Sequence, residues 1–246
     1  MQPLFPRRAA ALPFAAIAAF CVIIALTAQP APARGPAPRH HRPTLTQARL
    51  AYAAAVPDPL QLAREWLADA VAAGVPEPDG AALATAAPEG RPSVRFVLVR
   101  GIDDHGARFY TNYGSRKARE LDANPVAALA LWWPALQRQL RLEGPVERLT
   151  AAESDAYFAS RGRGSQLGAW ASRQGSVIEG RERLEARAAE LDAEFGETVP
   201  RPEWWGGLRL RPDIVEFWEG RANRLHDREH FLREPGGGWR SERLSP

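Results

Sequence analysis

A series of short segments with period-two hydrophobicity is the feature that most constrains the fold of this chain. Stretches rich in Pro, Gly, Asp and Asn separate the segments, as turns separate strands. Strands are predicted at Ala81–Ala87, Val94–Ile102, Ala107–Asn112, Val126–Trp133, Gln139–Arg148, Leu208–Arg211, Ile214–Glu219, His230–Arg233 and Trp239–Leu244. Because strands and helices do not alternate regularly, the pattern predicts a mainly β fold, a small barrel with flanking helices, rather than a doubly wound sheet.

Four helices are predicted among these strands. The third is marked most clearly, because Thr150 and Glu153 have the spacing of a capping box, in which each side chain binds the backbone N–H of the other residue. The predicted helices run from Asp58 to Gly74, from Arg116 to Ala123, from Thr150 through Phe158 and from Val177 to Phe195. They are too few to change the mainly β character of the chain.

The uneven distribution of charge argues against one class of partner. The 246 residues carry a net charge of +3, but six arginines and no acidic residue precede Asp58. The rest of the chain then has 26 basic and 29 acidic side chains, a net charge of −3. We therefore expect no nucleic-acid partner. With 45% hydrophobic residues, the chain is long enough for one domain with a substantial core.

Cysteine and histidine usage argues against a metal centre. The single cysteine, Cys21, can form neither an intrachain disulfide nor a cysteine metal cluster. The five histidines include the adjacent pair His40 and His41, and they show no spacing typical of metal ligands. The sequence therefore predicts no metal site.

The first 43 residues have two interpretations. Residues 9–33 are uncharged and apolar and follow two arginines, a pattern typical of an export signal or a membrane anchor. Alternatively, translation starts further along the chain, and residues 30–43 are a Pro-rich linker in either case. We divide the chain into residues 1–43 and a folded domain of residues 44–246. We expect a cytoplasmic protein, with export or membrane anchoring through residues 1–33 as the alternative.

The only lysine of the chain, Lys117, lies where a predicted strand turns into a predicted helix. Ser115 is placed to cap that helix, whose first N–H groups lack partners, and Arg116 and Lys117 add full charges at the same end. This arrangement predicts a phosphate site. The alternative from these residues alone is an ordinary capped helix with solvated charges.

Several segments, taken together and in order, carry a family resemblance. They are Arg95–Arg100, Tyr110–Asn112 with Ser115–Lys117, Arg138–Gln139, Ser165–Trp170 with Gln174, Trp218 with Arg224–Arg228, and the ending Arg243–Pro246. From about Asp58 to Pro246 the chain resembles the pyridoxamine 5′-phosphate oxidase family, whose members use FMN to make pyridoxal 5′-phosphate. The resemblance implies an FMN-binding split β-barrel and a homodimer with FMN at the subunit interface.

The resemblance also implies which residues bind the cofactor and the substrate. The implied FMN contacts are Arg95, Phe96, Val97, Leu98, Val99, Arg100, Tyr110, Thr111, Arg116, Lys117, Gln139, Gln174, Gly175, Trp218 and Arg228. The implied substrate contacts are Arg100, Tyr157, Arg161, Ser165, Arg224, Leu225 and His226, with Arg224 and His226 as the catalytic pair. Tyr157 and Arg161 are four residues apart, so they are predicted to share one face of the helix that Thr150 caps.

The implied reaction oxidises pyridoxamine and pyridoxine 5′-phosphate to pyridoxal 5′-phosphate, with O2 as acceptor and H2O2 as product. Two rivals stay open at this point: a different flavin oxidoreductase on the same barrel, and a non-catalytic protein that binds FMN or pyridoxal phosphate. The chain departs from the family pattern at two positions, with arginine for the usual lysine at Arg100 and glycine for the usual serine at Gly175. Arg100 keeps the cation but offers a planar fork of donors instead of a point charge.

Overall fold

The computed structural model describes residues 56–246, so the predicted segment 1–43 lies outside the described residues. Its helices are α1 (Pro59–Ala72), α2 (Arg116–Ala123), α3 (Ala151–Ala159), α4 (Arg163–Ala171) and α5 (Arg181–Glu194). Its strands are β1 (Gly80–Ala86), β2 (Pro92–Leu98), β3 (Gly101–Asp103), β4 (Gly106–Asn112), β5 (Val126–Trp133), β6 (Arg138–Arg148), β7 (Trp205–Leu210), β8 (Ile214–Glu219), β9 (Asp227–Arg233) and β10 (Trp239–Arg243). The predicted mainly β architecture with flanking helices is confirmed.

One antiparallel sheet contains all ten strands, and β6 connects its two parts. The main path runs in the order β10, β9, β8, β6, β5, β1, β2. The second part consists of β3, β4 and β7, with β4 paired to both of the others. The eleven residues of β6 pair with β5 and β8 over most of their length and with β7 at residues 146–148. The end of this strand therefore passes from one part of the sheet to the other.

The core lies on the inner face of this sheet. Along β1 the burial alternates, with Ala81, Leu83 and Thr85 inside, as period-two hydrophobicity predicts. Leucines from the central strands fill the interior together with Phe109 and Trp133. Each fully buried leucine contributes about 2 kcal/mol through removal of its side chain from water. This core fixes the strand ends that carry the candidate site residues.

The predicted strand Val94–Ile102 is wrong as a single element. It ends at Leu98 and a new strand begins at Gly101. The reason is a change of partner: β2 pairs with β1, whereas the Arg100 N–H already donates to the Arg108 carbonyl oxygen of β4 at 2.8 Å. A single sequence does not show where a strand changes its neighbour, because both halves have the same apolar pattern.

Two helix predictions also need correction. The helix predicted for Val177–Phe195 begins only at Arg181, because Gly180 is in an extended conformation just before it. The helix capped by Thr150 ends at Ala159, so Arg161 is not on it and cannot share a helical face with Tyr157. Arg161 lies in the three-residue gap before α4, a helix that the sequence did not predict. The cap of α4 is Gly162, which has no side chain to signal a helix start.

Two absences apply to the part of the chain that the structure describes. Among residues 56–246, none of the helices has the length and apolarity needed to span a bilayer. The same residues do not bring three His, Cys, Asp or Glu side chains together as metal ligands.

Candidate active site

A cavity of about 660 Å3 opens between β4, the end of β2 and the helices α3 and α4. Eight of the residues singled out from the sequence line it: Leu98, Arg100, Tyr110, Thr111, Tyr157, Arg161, Ser165 and Gln174. Seven others complete the lining: Asn112, Ser160, Gly162, Gly168, Ala169, Ser172 and Trp205. Segments far apart in sequence therefore meet at one concave site, which is the usual form of a small-molecule site.

Three stacked aromatic rings form one wall of the cavity. The ring centroids of Tyr110 on β4 and Tyr157 on α3 are 3.7 Å apart with an interplanar angle of 17°. Trp205 on β7 continues the stack at 5.6 Å from Tyr110 and 6.2 Å from Tyr157, nearly parallel to both. Burial raises the pKa of Tyr110, so its hydroxyl stays protonated at neutral pH. The wall is rigid and mostly apolar, with two phenol groups at its edge.

Arg161 lies against this wall. Its guanidinium carbon is 4.7 Å from the ring centroid of Trp205, and its Nη1 is buried with no hydrogen-bond partner. Burial lowers the pKa of Arg161, and the nearby Arg100 lowers it further, although Tyr157 acts in the opposite sense. Among residues 56–246, no carboxylate forms a salt bridge with Arg161. A buried N–H donor without an acceptor is costly, so the site is suited to an anion that supplies one.

Lys117 forms a second cationic site beside the cavity. Its Nζ lies 2.9 Å from Thr111 Oγ1, 3.3 Å from Ser115 Oγ and 3.1 Å from Gln174 Oε1, and all three oxygens are neutral. Ser115 also caps α2 by accepting from the Ala118 N–H at 3.4 Å, as predicted. Burial lowers the pKa of Lys117 to about 8, and the charge of Arg95 contributes. We call these four residues, Thr111, Ser115, Lys117 and Gln174, the Lys117 cluster.

Glu120 holds two of the predicted arginines next to this cluster. Its carboxylate accepts from Arg116 Nε at 2.7 Å and from Arg95 Nη2 at 3.3 Å, and the hydroxyls of Thr85 and Ser93 donate at 2.5 Å each. Burial alone would raise the pKa of Glu120, but these hydrogen bonds and the Arg116 charge more than offset it and hold the pKa at about 2. Glu120 is therefore ionised at any physiological pH.

The charges around α2 fit a phosphate. Arg95, Arg116 and Lys117 against Glu120 leave a net charge of +2, which matches a phosphate dianion. The first turn of α2 adds backbone N–H groups and the positive end of the helix dipole. Because the partners of Lys117 are neutral oxygens, its charge remains to be balanced by a ligand.

A different set of predicted residues lies on the neighbouring strands β6, β8 and β9, in the half of the sheet that ends at the outer strand β10. Gln139 is directly opposite Trp218, and Trp218 is directly opposite Arg228, so the three side chains share one face. Arg228 Nε donates to the buried carboxylate of Glu216 at 2.8 Å, and its Nη1 donates to the Ser245 carbonyl oxygen at 3.0 Å. Burial would raise the pKa of Glu216, but the bond from Arg228 and the charge of Arg141 lower it overall.

The turn between β8 and β9 carries the predicted catalytic pair. His226 lies with its ring centroid 4.5 Å from that of Trp218, and its Nδ1 accepts from the Arg221 backbone N–H at 3.1 Å. In the neutral ring this leaves the proton on Nε2. Arg224 has φ of 62° and is exposed, and Leu225 is 69% exposed. We call Gln139, Trp218, Arg224, His226 and Arg228 the outer-strand cluster.

The comparisons with known proteins agree with this geometry. Residues 67–194 match the family described as pyridoxamine 5′-phosphate oxidase, and residues 205–246 match the pyridoxine 5′-phosphate oxidase C-terminal dimerisation region. A pyridoxine/pyridoxamine 5′-phosphate oxidase of Rubrobacter xylanophilus is 56% identical over 202 residues, 82% of this chain and 93% of that relative. One of Thermosynechococcus vestitus is 53% identical over 198 residues, 80% of this chain and 93% of that relative. This chain belongs to the pyridoxamine 5′-phosphate oxidase family.

Solved structures place the chain in the same fold. PhzG from Burkholderia lata, in complex with tetrahydrophenazine-1-carboxylic acid, is 38% identical with a TM-score of 0.73, covering 76% of this chain and 92% of that one. A pyridoxamine 5′-phosphate oxidase-related, FMN binding protein from Nostoc punctiforme is 21% identical with a TM-score of 0.62, covering 74% and 97%, and shows the fold alone. The predicted split β-barrel is confirmed.

Membership of the pyridoxamine 5′-phosphate oxidase family implies a flavin cofactor, and the charges around Lys117 fit the phosphate of a flavin nucleotide. The match to a dimerisation region supports the homodimer that the resemblance predicted. Within one protomer, the cavity lining includes no residue of the outer-strand cluster. The structure therefore brings the predicted site residues together in two groups rather than one.

The remaining predicted flavin contacts lie on β2, directly after it and in the loop after α4. Val97 and Val99 are buried in the core, so only their backbone can face a ligand, whereas Phe96 is 79% exposed. Gly175 has φ of 90°, a conformation that glycine adopts without strain and serine does not. Glycine at this position therefore fits the backbone conformation better than the serine that is usual in the family.

Glu120 and Trp205 are among the residues of the site that sequence reasoning missed. Glu120 is four residues after Arg116 on a helix, and this spacing is a signal for an ion pair that was available in the sequence. Trp205 gave no such signal, because its contacts with Tyr110, Tyr157 and Arg161 all join residues distant in sequence.

Proposed function

We propose that this chain uses FMN and O2 to convert pyridoxamine 5′-phosphate and pyridoxine 5′-phosphate to pyridoxal 5′-phosphate, with release of H2O2. With the amine substrate, water also hydrolyses the imine that oxidation forms, and ammonia is released. The observation that carries the proposal is a pair of separate cations at one cavity, Lys117 and Arg161, neither of which has a carboxylate partner among residues 56–246. A flavin nucleotide and a phosphorylated substrate need two such sites. The names of the two relatives described above support the substrate class.

The Lys117 cluster and its neighbours would hold the FMN phosphate. Lys117 supplies a point charge, Arg116 and Arg95 supply forked donors, and the first turn of α2 supplies backbone N–H groups. Gln174, whose Oε1 accepts from Lys117 and Thr111, closes this site from the loop after α4. Bound FMN supplies the redox chemistry, which is acceptance of a hydride from C4′ of the substrate and delivery of the electrons to O2.

The other end of the cavity would hold the phosphate of the substrate. Arg161 offers a buried N–H without an acceptor, and Tyr157 and Ser165 line the same space with hydroxyl groups. Arg100 lies there as well, with its Nη1 bound to Asp79 Oδ2 at 2.8 Å. The protein contributes placement: with each phosphate fixed, the two rings have little freedom relative to one another.

We further propose that FMN lies at the interface of the homodimer, where the outer-strand cluster of one protomer completes the cavity of its partner. Trp218, Arg224, His226 and Arg228 all fall within residues 205–246, the matched dimerisation region. The strand β2 next to the cavity exposes apolar side chains, with Val94 at 69% and Phe96 at 79%. Such a surface is typical of a protein interface.

The experiment that tests the function is anaerobic reduction of the bound flavin. We expect the purified protein to be yellow and to bleach when pyridoxamine 5′-phosphate is added without O2. Arg161→Ala, loaded with FMN, should bleach far more slowly at the same substrate concentration. A wild-type protein that keeps its FMN and stays yellow would support the non-catalytic binder instead. Bleaching only by unrelated electron donors would support another flavin oxidoreductase.

A further inference from the structure

We propose that Trp205 is a positioning residue that holds Arg161 by the face of its indole ring and leaves the charge of the guanidinium available to the substrate phosphate. The proposal rests on the function proposed above, because it concerns the same phosphate. It assigns a role to a cavity residue that the family resemblance did not supply. The contacts around Arg161 support it in three steps.

The first step is the way in which Arg161 is held. Its guanidinium carbon lies 4.7 Å from the ring centroid of Trp205 and 5.7 Å from that of Phe158. A guanidinium over an aromatic ring is attracted through its face, so its in-plane N–H groups stay free to donate. The buried Nη1 without a partner is one of these groups.

The second step is a contrast with neighbouring arginines. Arg209, the most buried of them, is bound by the carboxylates of Asp103 and Glu153 at 3.1 and 3.0 Å, and Arg201 is bound by Asp155 at 2.6 Å. Those side chains are neutralised within the protein. Arg161 has no carboxylate among residues 56–246, and a carboxylate at this place would compete with a phosphate for the same N–H groups. An aromatic ring fixes the side chain without that competition.

The third step is the rigidity of Trp205. The residue is 7% exposed, its ring meets the Phe158 ring edge to face at 5.2 Å, and it continues the stack of Tyr110 and Tyr157. Its backbone is fixed at both sides, since its N–H donates to the Pro202 carbonyl oxygen and its own carbonyl oxygen accepts from Arg201. A ring held in this way restricts the positions that Arg161 can occupy.

The test uses steady-state kinetics of the FMN-loaded dimer with pyridoxine 5′-phosphate and with pyridoxine, which lacks the phosphate. In Trp205→Leu we expect KM for the phosphate ester to rise about tenfold with kcat nearly unchanged, and KM for pyridoxine to change much less, because pyridoxine has no phosphate for Arg161 to bind. Trp205→Phe keeps a smaller aromatic face, so KM should rise only about threefold. If Trp205→Leu does not fold, the same measurement on Trp205→Phe tests the proposal.

The decisive control is the same substitution in an Arg161→Ala background. If Trp205 acts through Arg161, Trp205→Leu should change KM by less than about twofold there, because the group that it positions is absent. An equal KM rise in both backgrounds, or no rise in the wild-type background, overturns the proposal. If wild type shows no preference for the phosphate ester over pyridoxine, the proposed function fails, and this outcome is distinct from a failure of the Trp205 proposal alone.

Discussion

The cavity and the outer strands differ in the partners of their positively charged side chains. At the cavity, Lys117 and Arg161 have neutral oxygens or aromatic rings around them and no carboxylate among residues 56–246. On the outer strands, Arg228 is bound to the buried Glu216, and Arg221 is bound to Asp227 at 2.6 Å. The cations of the cavity are therefore available to anions, whereas Arg221 and Arg228 are neutralised by carboxylates and Arg224, in the turn between β8 and β9, is exposed.

Each region contains one buried glutamate, and the two have different consequences. Glu216 binds Arg141 and Arg228, and Glu143 also binds Arg141, so two carboxylates balance two arginines on the outer strands. Glu120 binds Arg95 and Arg116 but does not contact Lys117, so an excess of positive charge remains beside the cavity. Glu216 and Glu143 together thus neutralise their two arginines, whereas Glu120 fixes two arginines around a site that stays positive.

The largest effect should come from removing the unpaired arginine of the cavity. We expect Arg161→Ala to lower kcat/KM for pyridoxine 5′-phosphate about 100-fold, or about 3 kcal/mol, because a charge-assisted bond to a desolvated phosphate is lost. The matched control on the outer strands is Arg221→Ala, whose exposed ion pairs should matter less than about threefold. Equal losses in the two variants would remove the distinction between the regions.

A mixing experiment sharpens the same comparison, because it asks whether the two regions meet across the dimer. Arg161→Ala and Arg224→Ala should each be nearly inactive alone. After unfolding and refolding together, random pairing gives half heterodimers, each with one of two sites intact, so about one quarter of wild-type activity should return. Refolding each variant alone is the control. If mass spectrometry shows that heterodimers have formed but no activity returns, both regions serve a site within one protomer.

A smaller effect is expected for the cation that faces the flavin phosphate. Lys117→Met should weaken FMN binding about tenfold, near 1.5 kcal/mol, since one charge-assisted contact is removed while Arg116 and the helix terminus remain. Fluorescence titration of the apoprotein measures this directly. Riboflavin, which has no phosphate, is the internal control, and its affinity should not change. A parallel loss of riboflavin affinity would show that the substitution disturbs the flavin ring site instead.

The smallest effect is a pH dependence that the outer strands should not share. Because burial lowers the pKa of Lys117 to about 8, the apoprotein carries this charge below pH 8 and loses it as the pH rises. Affinity for FMN should therefore fall about fivefold between pH 7 and pH 9, since the phosphate stays a dianion over this range. Lys117→Arg keeps its charge, so its affinity should be flat whatever its value at pH 7. A flat wild-type profile would contradict the assignment.

Local signals in the sequence predicted much of this structure. The capping box of Thr150 and Glu153 and the cap at Ser115 depend on residues three apart, and both were found as predicted. Strand positions followed from period-two burial along β1 and β5. Two predictions failed: the single strand Val94–Ile102, because its partner changes after Leu98, and the helical face shared by Tyr157 and Arg161, because α3 ends at Ala159. The change of partner cannot be predicted from residues near Leu98, because its cause lies in β4.

The site residues also divide into those that local sequence signals predict and those that only contacts between distant residues place. The charges of Arg116 and Lys117 and their position at the start of α2 could be predicted, since they belong to one short segment. The ring under Arg161 could not, because Trp205 is 44 positions further along and is placed by β7. The roles implied for the outer-strand cluster came from the family resemblance, and they stay predictions until the mixing experiment is done.

The single lysine has a practical consequence for anyone handling this protein. Thirty-one of its 32 basic side chains are arginine, and the one ammonium group is enclosed by three oxygens, a setting where a compact tetrahedral donor fits better than a planar fork. Amine-directed dyes, biotin esters and lysine cross-linkers will therefore find no exposed side chain among residues 56–246. If the flavin covers Lys117, its slow labelling would serve as a footprint of cofactor occupancy, read as the mass increment on the peptide that contains Lys117.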